Sequence, residues 1–171
     1  MNRRSFLKGL LFISSIFTLK LKASRKNNVS FNFGVASGDP TNTNIILWTK
    51  VSPTFNKNVT IKWQLSADKN FKNTIKSGYV LAKYSNDFTV KVDVNVPNPF
   101  RGNKVFYRFL FNDTFSDTGI TNTLPENDPD KYNIAFCSCS NHPAGYFNAY
   151  REIAKNEDID LVLHLGDYIY E

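Results

Sequence analysis

From Val29 to Thr123 the apolar side chains recur at every second position. Val59, Ile61, Trp63 and Leu65 alternate with polar neighbours, as do Phe88, Val90, Val92, Val94 and Val96, and Tyr107, Phe109 and Phe111 repeat the pattern. A period of two belongs to strands with one buried and one wet face, so the stretch is predicted to be an antiparallel, all-β region. Runs near residues 29–36, 45–52, 58–66, 74–83, 87–96, 104–111 and 115–122 make about seven strands. Turn formers such as Gly38-Asp39-Pro40, Ser85-Asn86-Asp87 and Pro97-Asn98-Pro99 separate them. Short strands with no cysteine among them predict a sandwich of immunoglobulin or fibronectin type, held by its core, with Trp48 and Trp63 inside. Asp39 reads as a turn residue accepting backbone hydrogen bonds.

The period is lost at Leu124-Pro125-Glu126-Asn127-Asp128-Pro129-Asp130, whose two prolines mark a linker. Beyond it the pattern changes kind. Asn133 to Cys139 and Asp160 to Leu165 are short apolar runs that read as buried strands. Between them Pro143 can open a helix, with Tyr146, Phe147, Tyr150, Ile153 and Ala154 along one face. Strand, helix and strand predict a right-handed parallel crossover. The predicted organisation is thus a leader over 1–24, a sandwich over 28–124, a linker over 125–131 and an α/β unit over 132–171.

Charge changes the picture only at the amino terminus. The 171 residues carry a formal charge of +6, but Arg3, Arg4, Lys8, Lys20 and Lys22 precede the first acidic residue, Asp39. Without those five, 16 basic residues face 15 acidic ones, so nucleic-acid binding is not expected. A basic start followed by an apolar span from Gly9 to Leu19 is too short for a membrane helix and reads as an export signal without a stable anchor. Arg3-Arg4-Ser5-Phe6-Leu7-Lys8 resembles the twin-arginine signal. An ordinary secretory signal or an uncleaved anchor is the plainer alternative, and Leu21 is large for a cleavage motif ending at Ala23.

In open α/β sheets ligands gather beyond the carboxyl ends of the strands. Those ends carry Cys139, Ser140, Asn141 and His142 on one side and Gly166, Asp167, Tyr168 and Tyr170 on the other. Asp167 offers hard carboxylate oxygens and Tyr170 a phenolate if a strongly Lewis-acidic ion deprotonates it, so Gly-Asp-x-x-Tyr suggests a dinuclear metal centre. Cys137 and Cys139 share a strand face and do not suit a mutual disulfide; core thiol, intermolecular bridge and ligand all stay open for them. His164 reads as a buried, satisfied histidine, as a partner orienting a ligand, or as a ligand itself. Tyr168 reads as structural or as such a supporting partner, and Asn141 and His142 are weak substrate-binding candidates.

Several stretches together resemble the PhoD-type alkaline phosphatases of the calcineurin-like and purple-acid-phosphatase-like metallophosphoesterases. They are Phe136-Cys137-Ser138-Cys139, Gly145-Tyr146-Phe147 and His164-Leu165-Gly166-Asp167-Tyr168-Ile169-Tyr170-Glu171, with Phe33 to Pro40 and Leu47-Trp48-Thr49 upstream. The resemblance implies an exported, periplasmic or secreted enzyme that hydrolyses phosphate esters, using Fe3+ and Ca2+ and an activated hydroxide. It assigns Cys139 as a thiolate ligand, Asp167 as a metal-bridging carboxylate and Tyr170 as a phenolate ligand. Many metallophosphoesterases carry Asp-x-His after the first strand, where this chain carries Cys139. The resemblance also implies that further ligands lie beyond residue 171, so the chain is expected to be an amino-terminal portion with little activity alone. The alternative is an exported, non-catalytic β-sandwich module.

Replacing Arg3 and Arg4 together by lysine keeps the charge but should strand the protein inside the cell. Fractionation that finds the double variant exported normally would refute the twin-arginine assignment.

Overall fold

The computed structural model describes residues 28–168 and residue 170. The predicted leader over 1–24 lies outside the described residues. Among the described residues ten strands precede the linker: β1 (Val29–Ser30), β2 (Val35–Gly38), β3 (Asn44–Lys50), β4 (Ser52–Pro53), β5 (Val59–Ser66), β6 (Thr74–Ala82), β7 (Thr89–Asn95), β8 (Val105–Phe111), β9 (Thr114–Phe115) and β10 (Gly119–Thr121). They form one antiparallel sheet in the order β2-β3-β7 and another in the order β10-β8-β5-β6, with β9 added to β8 and β1 paired with β4. Among the described residues no helix is long and apolar enough to cross a membrane.

The inward residues of these sheets form one core. Ile45, Leu47, Val90 and Val94 come from the first sheet, and Ile61, Trp63, Leu65, Tyr107 and Phe109 from the second. Each set follows the two-residue period along its strand, which is why alternation in the sequence marked it. Thr49 is the polar member among the inward residues of β3, and its hydroxyl donates to the Gly34 carbonyl at 2.8 Å. Trp48 departs from expectation: Leu47 and Thr49 take the inward positions of β3, so Trp48 faces outward and is half-buried.

Two predicted runs are also divided. The 29–36 run breaks at the Asn32-Phe33 turn, with Gly34 at φ +70°, where a side chain is disfavoured. The 115–122 run breaks at Ser116, whose hydroxyl accepts from the Phe109 N–H at 2.8 Å while its own N–H donates to the Phe109 carbonyl. A side chain thus replaces a backbone acceptor, and the ladder is interrupted.

The outer strands of the larger sheet, β6 and β10, each carry a glycine opposite an aromatic residue. Gly78 pairs with Trp63 and Gly119 with Tyr107. Each ring lies over the bare Cα of the edge strand, covering backbone that a glycine leaves open to water. Tyr107 is almost wholly buried, and burial pushes its phenol ionisation up.

The linker starts against the β region, where the Leu124 N–H donates to the Thr41 carbonyl and Asn42 Nδ2 donates to the Pro125 carbonyl. Beyond it come β11 (Ile134–Cys137), α1 (His142–Gly145), α2 (Asn148–Lys155) and β12 (Leu161–His164). β11 and β12 pair in parallel, Ile134 with Leu161 through Cys137 with His164. The single predicted helix is two. Tyr146 and Phe147 both adopt left-handed backbone, at φ +52° and +54°, and separate α1 from α2. Nor are the strands buried as expected. Phe136 is 71% and Leu165 67% exposed, and β12 is exposed on both faces of the pair.

Gly119→Ala should cost about 1–3 kcal/mol, because its Cβ would come within 2.2 Å of the Tyr107 ring, which has no room to retreat. Chemical denaturation checks this; an unchanged midpoint would show that the ring is not held against Gly119.

Candidate functional site

Parallel pairing sets the two post-strand segments side by side. Cys139 follows β11 by two residues and Asp167 follows β12 by three, and both adopt left-handed backbone, at φ +56° and +50°. Such backbone costs of order 1–3 kcal/mol at a residue with a side chain, and it concentrates at functional sites. Gly166, at φ +114°, makes the turn before Asp167. The outcome is a direct approach: the Cys139 thiol donates to Asp167 Oδ2 at 3.4 Å.

Tyr170 joins this pair. Its hydrogen bonds to Cys139 and then to Asp167, with the negative charge of both groups, hold its phenol ionisation well above the usual tyrosine range. Three acidic groups therefore meet, and no salt bridge among the described residues involves Asp167. The phenol therefore ionises only against the field of the other two unless a cation is present. No group of three or more His, Cys, Asp and Glu side chains clusters among the described residues; this trio owes its third member to a phenol.

The donor set suits one highly charged ion that accepts sulfur as well as oxygen, since a carboxylate, a thiolate and a phenolate together neutralise three positive charges. It does not suit calcium, which takes six to eight oxygens, where Asp167 and Tyr170 bring few.

The other candidates divide. Asn141 is a helix cap, its side-chain oxygen accepting from the Ala144 N–H at 3.1 Å, which leaves it committed to structure. His142 packs edge-on against Tyr146 and at a tilt against Phe147, with ring centres 5.5 and 5.2 Å away. Cys137 is a half-buried free thiol on the same side of the sheet as His164, apart from the trio. His164 is exposed rather than buried, at the open end of β12. Its Nε2 lies 2.7 Å from the Tyr150 hydroxyl, its Nδ1 accepts from the Gly166 N–H at 3.3 Å, and its ring meets that of Tyr168 edge-on at 5.2 Å. Tyr150 had been legible only as one apolar position on a helix face; its hydroxyl contact with the strand end has no signature in spacing.

A depression of about 830 Å³ lies at the opposite end of the strands, lined by Lys131, Tyr132, Asn133, Asn156 and Asp158. It is open and gathers no nucleophile or ligand cluster, so the carboxyl ends remain the candidate site.

The family profile for the PhoD-like phosphatase N-terminal domain matches residues 18–125, and that for the PhoD-like phosphatase matches residues 134–171. The chain is similar to alkaline phosphatase D of Bacillus subtilis (strain 168), at 37% identity over 175 residues, covering 95% of this chain and 29% of that protein. It is also similar to the solved structure of PhoD, with a TM-score of 0.71 and 36% identity over 83% of this chain and 29% of that one. The chain thus spans less than a third of the length of either relative.

Proposed function

The chain belongs to the PhoD-like phosphatase family, and from that membership we propose that it carries the amino-terminal portion of an exported, metal-dependent alkaline phosphatase or phosphodiesterase. The observation that carries this reading is the convergence of Cys139, Asp167 and Tyr170 at the carboxyl ends of two parallel strands. In this reading the paired sheets are an immunoglobulin- or fibronectin-like sandwich, and β11 to β12 is the first β-α-β unit of a metallophosphoesterase domain.

Cys139, Asp167 and Tyr170 would hold Fe3+; the Ca2+ that the family resemblance implies is not matched by this set. Bound metal supplies positive charge for the phosphate oxygens and activates water for in-line attack on phosphorus. The chain's own contribution is positional. Gly166 and the left-handed Asp167 aim a carboxylate across the strand gap, and Cys139 meets it from the other side. The substrate is a phosphate ester, the export partner the twin-arginine machinery, and the destination the periplasm or exterior. The alternative of a non-catalytic β module is less well supported, because the second profile match covers the α/β segment, beginning at residue 134.

The test uses the purified chain with ferric iron, scoring bound metal and hydrolysis of a chromogenic phosphate ester with and without chelator. One iron per chain is expected, lost in Asp167→Asn, with negligible turnover because three donors leave the coordination unfinished. Absence of iron binding would overturn the ligand assignment; robust, chelator-sensitive hydrolysis would show that the ligand set is sufficient.

A further inference from the structure

His164 holds the residues on either side of Asp167. Its Nδ1 accepts from the Gly166 N–H, and its ring packs edge-on against Tyr168. A backbone N–H can only donate, so Nδ1 carries no proton and the neutral imidazole keeps its proton on Nε2. That proton has one acceptor at hand, the Tyr150 hydroxyl 2.7 Å away on α2. Tyr150 is itself packed against Phe147, with ring centres 5.2 Å apart, at the start of that helix. A chain of contacts therefore runs from α2 through Tyr150 and His164 to both neighbours of Asp167.

We propose that Tyr150 and His164 are a positioning pair that fixes the left-handed turn at Gly166-Asp167 and so aims the Asp167 carboxylate at Cys139. The proposal rests on the reading of Asp167 as a metal ligand and adds two residues that touch neither metal nor substrate. Left-handed backbone at a residue with a side chain persists only where its surroundings over-determine it. The imidazole supplies that constraint from the strand side. The Tyr150 hydroxyl selects the tautomer that leaves Nδ1 free to accept, much as outer partners orient metal-binding groups in general.

The two ring nitrogens have separable mimics. Asparagine places an amide oxygen near Nδ1, and glutamine places an amide nitrogen near Nε2. The experiment uses the complete isotope-labelled chain, alone and with ferric iron. Long-range proton–nitrogen correlation should show His164 protonated on Nε2 alone. His164→Asn should keep the Gly166 and Asp167 amide signals and most of the iron affinity, while His164→Gln should move those signals and weaken iron binding about 10–100-fold. Tyr150→Phe should change the His164 tautomer balance with the β-sandwich signals unmoved. A proton on Nδ1, or equal behaviour of the asparagine and glutamine variants, would overturn the proposal. If the wild-type chain binds no iron, the ligand reading fails on its own; the amide signals of the two variants then decide the positioning pair, supporting it if they differ and overturning it if they agree.

Discussion

Parallel pairing of β11 with β12, in the register that sets Cys137 beside His164, is the constraint on which the candidate site depends. Two strands running the same way finish at the same edge, so the segments that follow them are neighbours whatever their sequences. A slip of one residue would turn His164 away from Tyr150. The start of the pair is pinned as well, by the Asn133 N–H donating to Asp160 Oδ2 and Asn133 Nδ2 donating to the Asp158 carbonyl, both at 2.9 Å. Register at one end of the strands thus sets chemistry at the other.

Much of the fold is written in alternation. Val59 to Leu65 and Tyr107 to Phe111 point inward where a two-residue period places them, because in a half-buried strand burial and side-chain direction are the same fact. Trp48 shows the limit: hydrophobicity favoured the interior, but its register between Leu47 and Thr49 sent it outward. The helix break at Tyr146 and Phe147 was illegible for a different reason. Their spacing fits one continuous face, and aromatic residues rarely take left-handed backbone, so only tertiary packing can select it. Burial of β12 was misjudged because an apolar run reports what a strand could bury, not what covers it.

For the site, the residue types at the two strand ends were legible, and so was their shared edge. The mutual approach of Cys139 and Asp167 was not, since it depends on left-handed backbone at two residues that are not glycine. The role of Tyr150 was hidden too, for a tyrosine on an apolar helix face looks the same whether or not its hydroxyl has a partner. What the geometry adds to the sequence is therefore the electrostatic problem: a thiol, a carboxylate and a phenol drawn together, the phenol held neutral by the other two. A bound cation would resolve that conflict; burial cannot, because the trio is exposed.

The central claim is that these three side chains share one ion. X-ray absorption at the iron edge, on the ferric-loaded chain and on its Cys139→Ser variant, tests it most directly. One sulfur neighbour among oxygen donors, lost in the variant, is the predicted result; a first shell without sulfur, unchanged by the substitution, would contradict it.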